Sequence, residues 1–213
     1  MKIILVVCFF IIQYQKHYSF KLIVMKNLGI ASFIAASLMV GYACTSENKN
    51  NEDATEVAED KNEEKFDTTK VEDDAEFMVA AASGGMLEVN LGEVVAKNAM
   101  SAKVKEFGAM MVADHTKANV ELKALAAAKN ISLPTAASDK HQEKIADITK
   151  EKGMEFDKDY IDFMINDHEE DIKLFEEEAE DGKDAEIKAF AADKIPTLKH
   201  HLQMAKEIKE TLK

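Results

Sequence analysis

The sequence predicts an all-α domain: four long helices, paired as two tight hairpins and linked by one long crossover. Three observations predict it. From about residue 73 to the C-terminus, apolar residues recur at helical spacing with no strand-like alternation. Proline occurs only at Pro134 and Pro196, while Ala, Glu, Lys, Leu and Met are common, a composition that favours helices over strands. The breaks between the periodic segments are short in two places and about 25 residues long in one.

The elements follow in order. The first long helix spans about Asp73 to Ala99, with Gly84-Gly85 as a soft spot. The second starts near Ser101, an N-cap residue, and ends near Asn130, ahead of Pro134. Ser138 opens a short polar helix that Gly153 closes. Asp157 starts the third long helix, which ends at Asp181-Gly182. Asp184 caps the fourth, which runs to the C-terminus and bends at Pro196. Tight joins make the first and second helices antiparallel, and likewise the third and fourth. The long join between the second and third leaves room to travel back along the bundle, as in the ferritin-like arrangement. An up-and-down bundle carries the same amphipathic signature, and spacing alone leaves both open.

Ahead of the bundle the chain changes character. Residues 25–44, MKNLGIASFIAASLMVGYAC, pair a short basic start with an apolar run and a small-residue approach to Cys44. The run is shorter than the roughly 20 residues a spanning helix needs. The segment resembles a bacterial lipoprotein signal, which implies that Cys44 becomes the lipidated first residue of an exported chain. That chain would be membrane-anchored, periplasmic or outer-membrane-associated. Gly41 stands where such signals usually carry Leu. Residues 1–24 hold a second apolar run, Ile3 to Ile12, and read as a start-site extension before a true start at Met25. The other reading is an uncleaved anchor with Cys44 unmodified. Residues 45–72 are rich in Glu, Asp, Lys, Asn and Thr and read as a disordered acidic tether. Such a coil would hold the domain, residues 73–213, on the order of 30 Å from a membrane.

Charge and cysteine content remove several classes of function. The formal net charge is -13 and Arg is absent, so the chain repels phosphate backbones and lacks the bidentate fork that grips them. Nucleic acid is excluded as a partner. Cys8 and Cys44 both precede the bundle, which therefore has no disulfide framework, thiolate metal site or cysteine nucleophile. No nucleophile elbow, phosphate-binding glycine loop or zinc-protease motif occurs, so no residue is assigned a catalytic role.

The histidines carry what chemistry there is. Met110-Met111-Val112-Ala113-Asp114-His115 in the second helix is echoed by Phe163-Met164-Ile165-Asn166-Asp167-His168 in the third. At about 100° per residue, His115 and His168 fall within the apolar stripes of their helices. His201 lies on the flank of the fourth helix's stripe, and Glu88 at the edge of the Leu87, Leu91 and Val95 face. All four sit near mid-helix and can share one layer. Neutral imidazoles with a carboxylate suit a first-row transition metal such as Cu, Zn or Fe. Asp114 and Asp167 are placed to orient the rings from behind. The same residues can equally form a hydrogen-bonded polar layer that only fixes helix register. His141 and His200 read as surface residues. Met111 with His115, and Met164 with His168, share helix faces as soft donors suited to Cu(I), or simply as core fillers.

Four stretches, AASGGMLEVNLGEVVAKNA, VKEFGAMMVADHTKANVELKALA, FDKDYIDFMINDHEEDIKLF and the Pro196 to Leu202 region, resemble the bacterial family catalogued as domain of unknown function 4142. The resemblance implies a ferritin-like fold and an envelope location, and it adds no reaction. The metal pattern is similar only in part. A carboxylate-bridged di-iron bundle carries Glu three residues before His on two helices. Here Val112, Ile165 and Leu198 occupy those positions. Oxidase chemistry is correspondingly disfavoured. Two readings of function are left: a non-enzymatic envelope lipoprotein that binds or supports an envelope partner, and a transition-metal-binding protein.

Overall fold

A computed structural model of the chain describes residues 52–66 and 71–212. The expected signal, the start-site extension and Cys44 lie outside the described residues. So do residues 45–51 and 67–70 of the expected tether. Among the described residues there are six helices and no strand: α1 (Ala54–Phe66), α2 (Glu72–Asn98), α3 (Ala102–Lys129), α4 (Asp139–Lys150), α5 (Gly153–Asp181) and α6 (Ala185–Thr211). None of them is long and apolar enough to cross a membrane.

The four long helices pair as α2 with α3 and α5 with α6, and the two hairpins close on each other through α2–α5 and α3–α6 contacts. Hydrogen bonds at the ends fix the directions. The buried carboxylate of Asp157, in the second turn of α5, accepts from the backbone N–H groups of Met100 and Ser101 at 3.0 and 2.7 Å. At the opposite end Asp74, in the first turn of α2, accepts from Lys183 and Asp184 N–H at 2.8 and 2.6 Å. The start of α5 thus meets the α2–α3 turn, and the start of α2 meets the α5–α6 turn. Adjacent helices are therefore antiparallel, while α3 and α5, joined by the crossover, run parallel. Each hairpin supplies the acid that satisfies the other's turn.

The helix ends depart from expectation in instructive ways. Ser101 occupies the N-cap position of α3, but its side chain makes no capping bond; Asp157 does that work for the turn. Ser138 and Asp184 do cap, accepting from His141 N–H and from Glu186 and Ile187 N–H. Gly153, with φ of +67°, opens α5 rather than closing α4, so α5 starts a turn before Asp157. Asn130 ends α3 in the left-handed conformation. Helix α6 runs through Pro196 without a break. Gly92 and Gly108 let α2 and α3 come close, since a Cβ on Gly92 would lie 2.9 Å from the Gly108 carbonyl oxygen.

The tether expectation fails for residues 54–66, which form α1. Composition was the wrong guide there because α1 is held by hydrogen bonds to distant backbone more than by apolar burial. Asn62 is buried and reads Ser132 in both directions, its amide donating to the carbonyl at 2.9 Å and its oxygen accepting from the N–H at 2.7 Å. Lys65 donates to the Asn130 carbonyl. Asp53 caps α1 through Thr55 N–H and accepts from Asp139 N–H at the start of α4. The bundle's chain thus begins by strapping the crossover.

Two apolar clusters fill the bundle. One holds Leu87, Leu91, Phe107, Met111, Tyr160 and Met164, the other Phe77, Met78, Leu122, Ile172, Phe175 and Leu198. Leu202 packs against both. The polar layer described below falls between them.

One buried acid lies outside that layer. Burial, and then the neighbouring Asp74 carboxylate, raise Glu178 from 4.5 to about 7, and its Oε1 has no hydrogen-bond partner. Between pH 4.5 and 7 the folded chain holds a proton that the unfolded chain has lost, so stability falls as pH rises through this window. Glu178→Gln is expected to raise stability at pH 8 by about 2 kcal/mol, with the gain shrinking toward pH 5. Urea unfolding at the two pH values checks it.

Candidate metal centre

Glu88, His115, His168 and His201 converge from α2, α3, α5 and α6. The imidazole centroids lie 5.8 Å apart for His115–His168, 5.4 Å for His115–His201 and 5.4 Å for His168–His201. Each of the three rings has a nitrogen within 4.8 Å of one on the other two. His168 and His201 are fully buried, His115 is 8% exposed and Glu88 1%. The convergence has a simple origin: each residue is near mid-helix, and antiparallel neighbours keep mid-helix residues level whatever the chain direction.

The hydrogen bonds distinguish the two nitrogens of two rings. His115 Nδ1 lies 2.5 Å from Glu88 Oε2, which leaves Nε2 without a partner. His201 Nε2 lies 2.9 Å from Asp114 Oδ2, and its Nδ1 faces His168 Nε2 at 3.3 Å. His168 Nδ1 is turned toward the Met164 carbonyl one turn back, without a hydrogen bond of normal geometry. Carboxylates therefore hold one nitrogen each of His115 and His201, while His168 Nε2 and His201 Nδ1 face each other. This is the arrangement in which a carboxylate behind an imidazole fixes its tautomer and orients it toward a metal. Glu88, expected as a ligand, holds His115 through Oε2 and leaves Oε1 toward His168. Asp114 orients His201, a ring on another helix, rather than its own neighbour His115.

Electrostatics follow from the apolar clusters on either side. Desolvation disfavours every charged form, and it pushes His115 to about 4, His168 to about 3 and His201 to about 4. All three rings are neutral at pH 7, the form that ligates metals. Burial also holds the carboxyls of Glu88, Asp167 and Asp171 well above the usual range.

Other expected residues fall differently. Asp167 does not pair with His168; its Oδ2 is buried without a partner, and it joins Glu88 and His168 in a second group whose ligand atoms lie within 4.8 Å. Met111 and Met164 are fully buried in the apolar cluster below the layer. His200 is exposed as expected. His141 is not a surface residue: half-buried, its Nδ1 lies 2.8 Å from Ser83 Oγ, which joins α4 to α2. Gly84-Gly85 is not a soft spot, since α2 is continuous there. A Cβ on Gly85 would lie 2.1 Å from Asn119 Oδ1, so glycine makes room for that side chain.

Two residues were missed. Asp171, one turn beyond His168, lines a cavity of about 110 Å³ together with Glu88, Asp114, His115 and His201. Its spacing of three from His168 was the available signal. Tyr160 lies in the apolar cluster, yet its buried hydroxyl has no partner and its ionisation is opposed by burial and then by Glu88 and Asp167.

Fold and site together define an all-helical bundle protein with a buried histidine–carboxylate layer. The chain belongs to the family described as Domain of unknown function (DUF4142), whose model matches residues 59–208. The match begins within α1, which places that helix in the domain. No curated protein and no solved structure matches the chain.

Proposed function

We propose that this chain is a transition-metal-binding protein built on a ferritin-like bundle and carried outside the cytoplasmic membrane by a lipid on Cys44. One observation carries the metal reading. One nitrogen from each of His115, His168 and His201 lies within 4.8 Å of the other two, while Glu88 and Asp114 hold one nitrogen each of His115 and His201. A layer that served only helix register would be satisfied by its own members. Here His115 Nε2, His168 Nδ1, Glu88 Oε1 and Asp167 Oδ2 are buried without a partner, and such groups cost about 1–3 kcal/mol each. A cation at the clustered imidazole nitrogens would offset part of that cost. Three neutral imidazoles suit Zn(II) or a copper or iron ion.

Binding is also linked to protons. Metal ligands bind in their deprotonated forms, and burial holds the carboxyls of Glu88 and Asp167 well above their usual range, so a cation entering this layer competes with protons. The full-length chain, purified without an affinity tag, is expected to take up one Zn(II) per chain with proton release, read by calorimetry in buffers of different ionisation enthalpy. A folded chain that rejects Zn, Cu and Fe would overturn the reading. The anchor is tested separately, by the mass of the N-terminal fragment that carries Cys44.

A further inference from the structure

We infer that the centre contains a second cation position, made by Glu88 Oε1, Asp167 and His168, which overlaps the three-histidine position and excludes its occupation. This deepens the metal reading, because it rests on the same buried layer and names what that layer selects between. Three observations carry it.

The first is geometric: one donor atom each from Glu88, Asp167 and His168 lies within 4.8 Å of the others, a grouping distinct from the three histidines. The second is satisfaction. Glu88 uses Oε2 to hold His115, and its Oε1 has no hydrogen-bond partner although the residue is 1% exposed. Asp167 Oδ2 is likewise buried without a partner. The nearest nitrogen contact of Glu88 Oε1 is His168 Nε2, at 3.5 Å. Two free carboxylate oxygens and an imidazole thus converge where nothing in the protein answers them.

The third is lone-pair count. His168 Nε2 faces both Glu88 Oε1 and His201 Nδ1. A neutral imidazole offers a single nitrogen lone pair, so His168 serves one cation at a time. The two positions differ in hardness: three imidazoles suit Zn(II) and Cu(II), whereas two carboxylates and one imidazole suit Mn(II) or Fe(II). Asp167 is then a ligand of the harder ion, and His201 a ligand of the softer one. His168 belongs to both.

The test is a competition on the full-length chain, with Mn(II) and Zn(II) as probes. Binding of Mn(II) is read by loss of the EPR signal of the aqueous ion, and Zn(II) by equilibrium dialysis. The unaltered chain is expected to bind one equivalent of either ion, each displacing the other. Asp167→Asn is expected to weaken Mn(II) by about tenfold or more and to leave Zn(II) within about threefold. His201→Gln is expected to do the reverse. Both variants are compared by thermal melting first, and the displacement measurement needs no variant at all. Simultaneous binding of both ions, or Mn(II) affinity unmoved by Asp167→Asn, would overturn the overlap. Zn(II) uptake with no Mn(II) uptake would overturn this inference and leave the three-histidine reading standing. Mn(II) uptake without Zn(II) would overturn the three-histidine reading and with it the overlap.

Discussion

A chain carrying His168→Leu is expected to lose Zn(II) binding altogether while keeping its fold and most of its stability. His168 is the one residue common to both donor groups and is fully buried. Removing a ligand from a three-donor site leaves too few donors to hold a divalent ion against water. The stability arm matters equally. In the metal-free protein the ring has a depressed pKa of about 3, caused first by burial, and its Nδ1 lacks a partner. Replacing it with an apolar side chain of similar volume removes one unsatisfied nitrogen but leaves His201 Nδ1 without its partner, so the expected change is within about 2 kcal/mol of zero. A residue kept for register would behave in the opposite way: its loss would lower stability with no ligand in the buffer. Zn(II) dialysis together with urea unfolding of the metal-free variant separates the two. Loss of stability by several kcal/mol without a change in Zn(II) uptake would contradict the assignment.

The second large effect concerns the bundle ends. Asp157→Ala is expected to cost about 3–5 kcal/mol, since two charge-assisted hydrogen bonds from a fully buried carboxylate to the α2–α3 turn are lost. For a domain of this size that lowers Tm by roughly 10 °C. Asp74→Ala, at the other turn, is expected to cost a similar amount. The two sites lie at opposite ends, so the double variant is expected to show near-additive losses. Against a typical total of about 5–15 kcal/mol, the double variant would be close to unfolded. Calorimetry of the three variants checks this, and a loss below about 1 kcal/mol for either single variant would contradict the role given to these acids.

The four long helices and the shared level of His115, His168 and His201 were legible because both follow from period. Apolar recurrence set the helices, and mid-helix position set the layer. What period does not carry is partner choice across the bundle. Glu88 was legible as inward-facing, but which of its oxygens meets which ring depends on rotamers on two helices. Asp114 and His115 are adjacent in sequence, and Asp114 nevertheless serves His201, because successive residues point about 100° apart. Asp157 read as a helix start and Asp74 was not singled out. Their bonds join residues more than fifty positions away. Helix α1 was hidden for the same reason. Its polar composition is that of an unfolded segment until Asn62 meets the Ser132 backbone. Gly85 was misread because a glycine pair weakens an isolated helix, whereas here the absent Cβ admits Asn119.

The most direct test of the centre is X-ray absorption at the zinc edge on the full-length chain loaded with one equivalent of Zn(II). The expected result is a first shell containing about three imidazole nitrogens at about 2.0–2.1 Å, with the outer-shell scattering that histidine rings produce. That scattering should fall in His115→Gln and His201→Gln chains. A first shell of oxygen alone, or a spectrum unchanged by those substitutions, would contradict a three-histidine centre in this bundle.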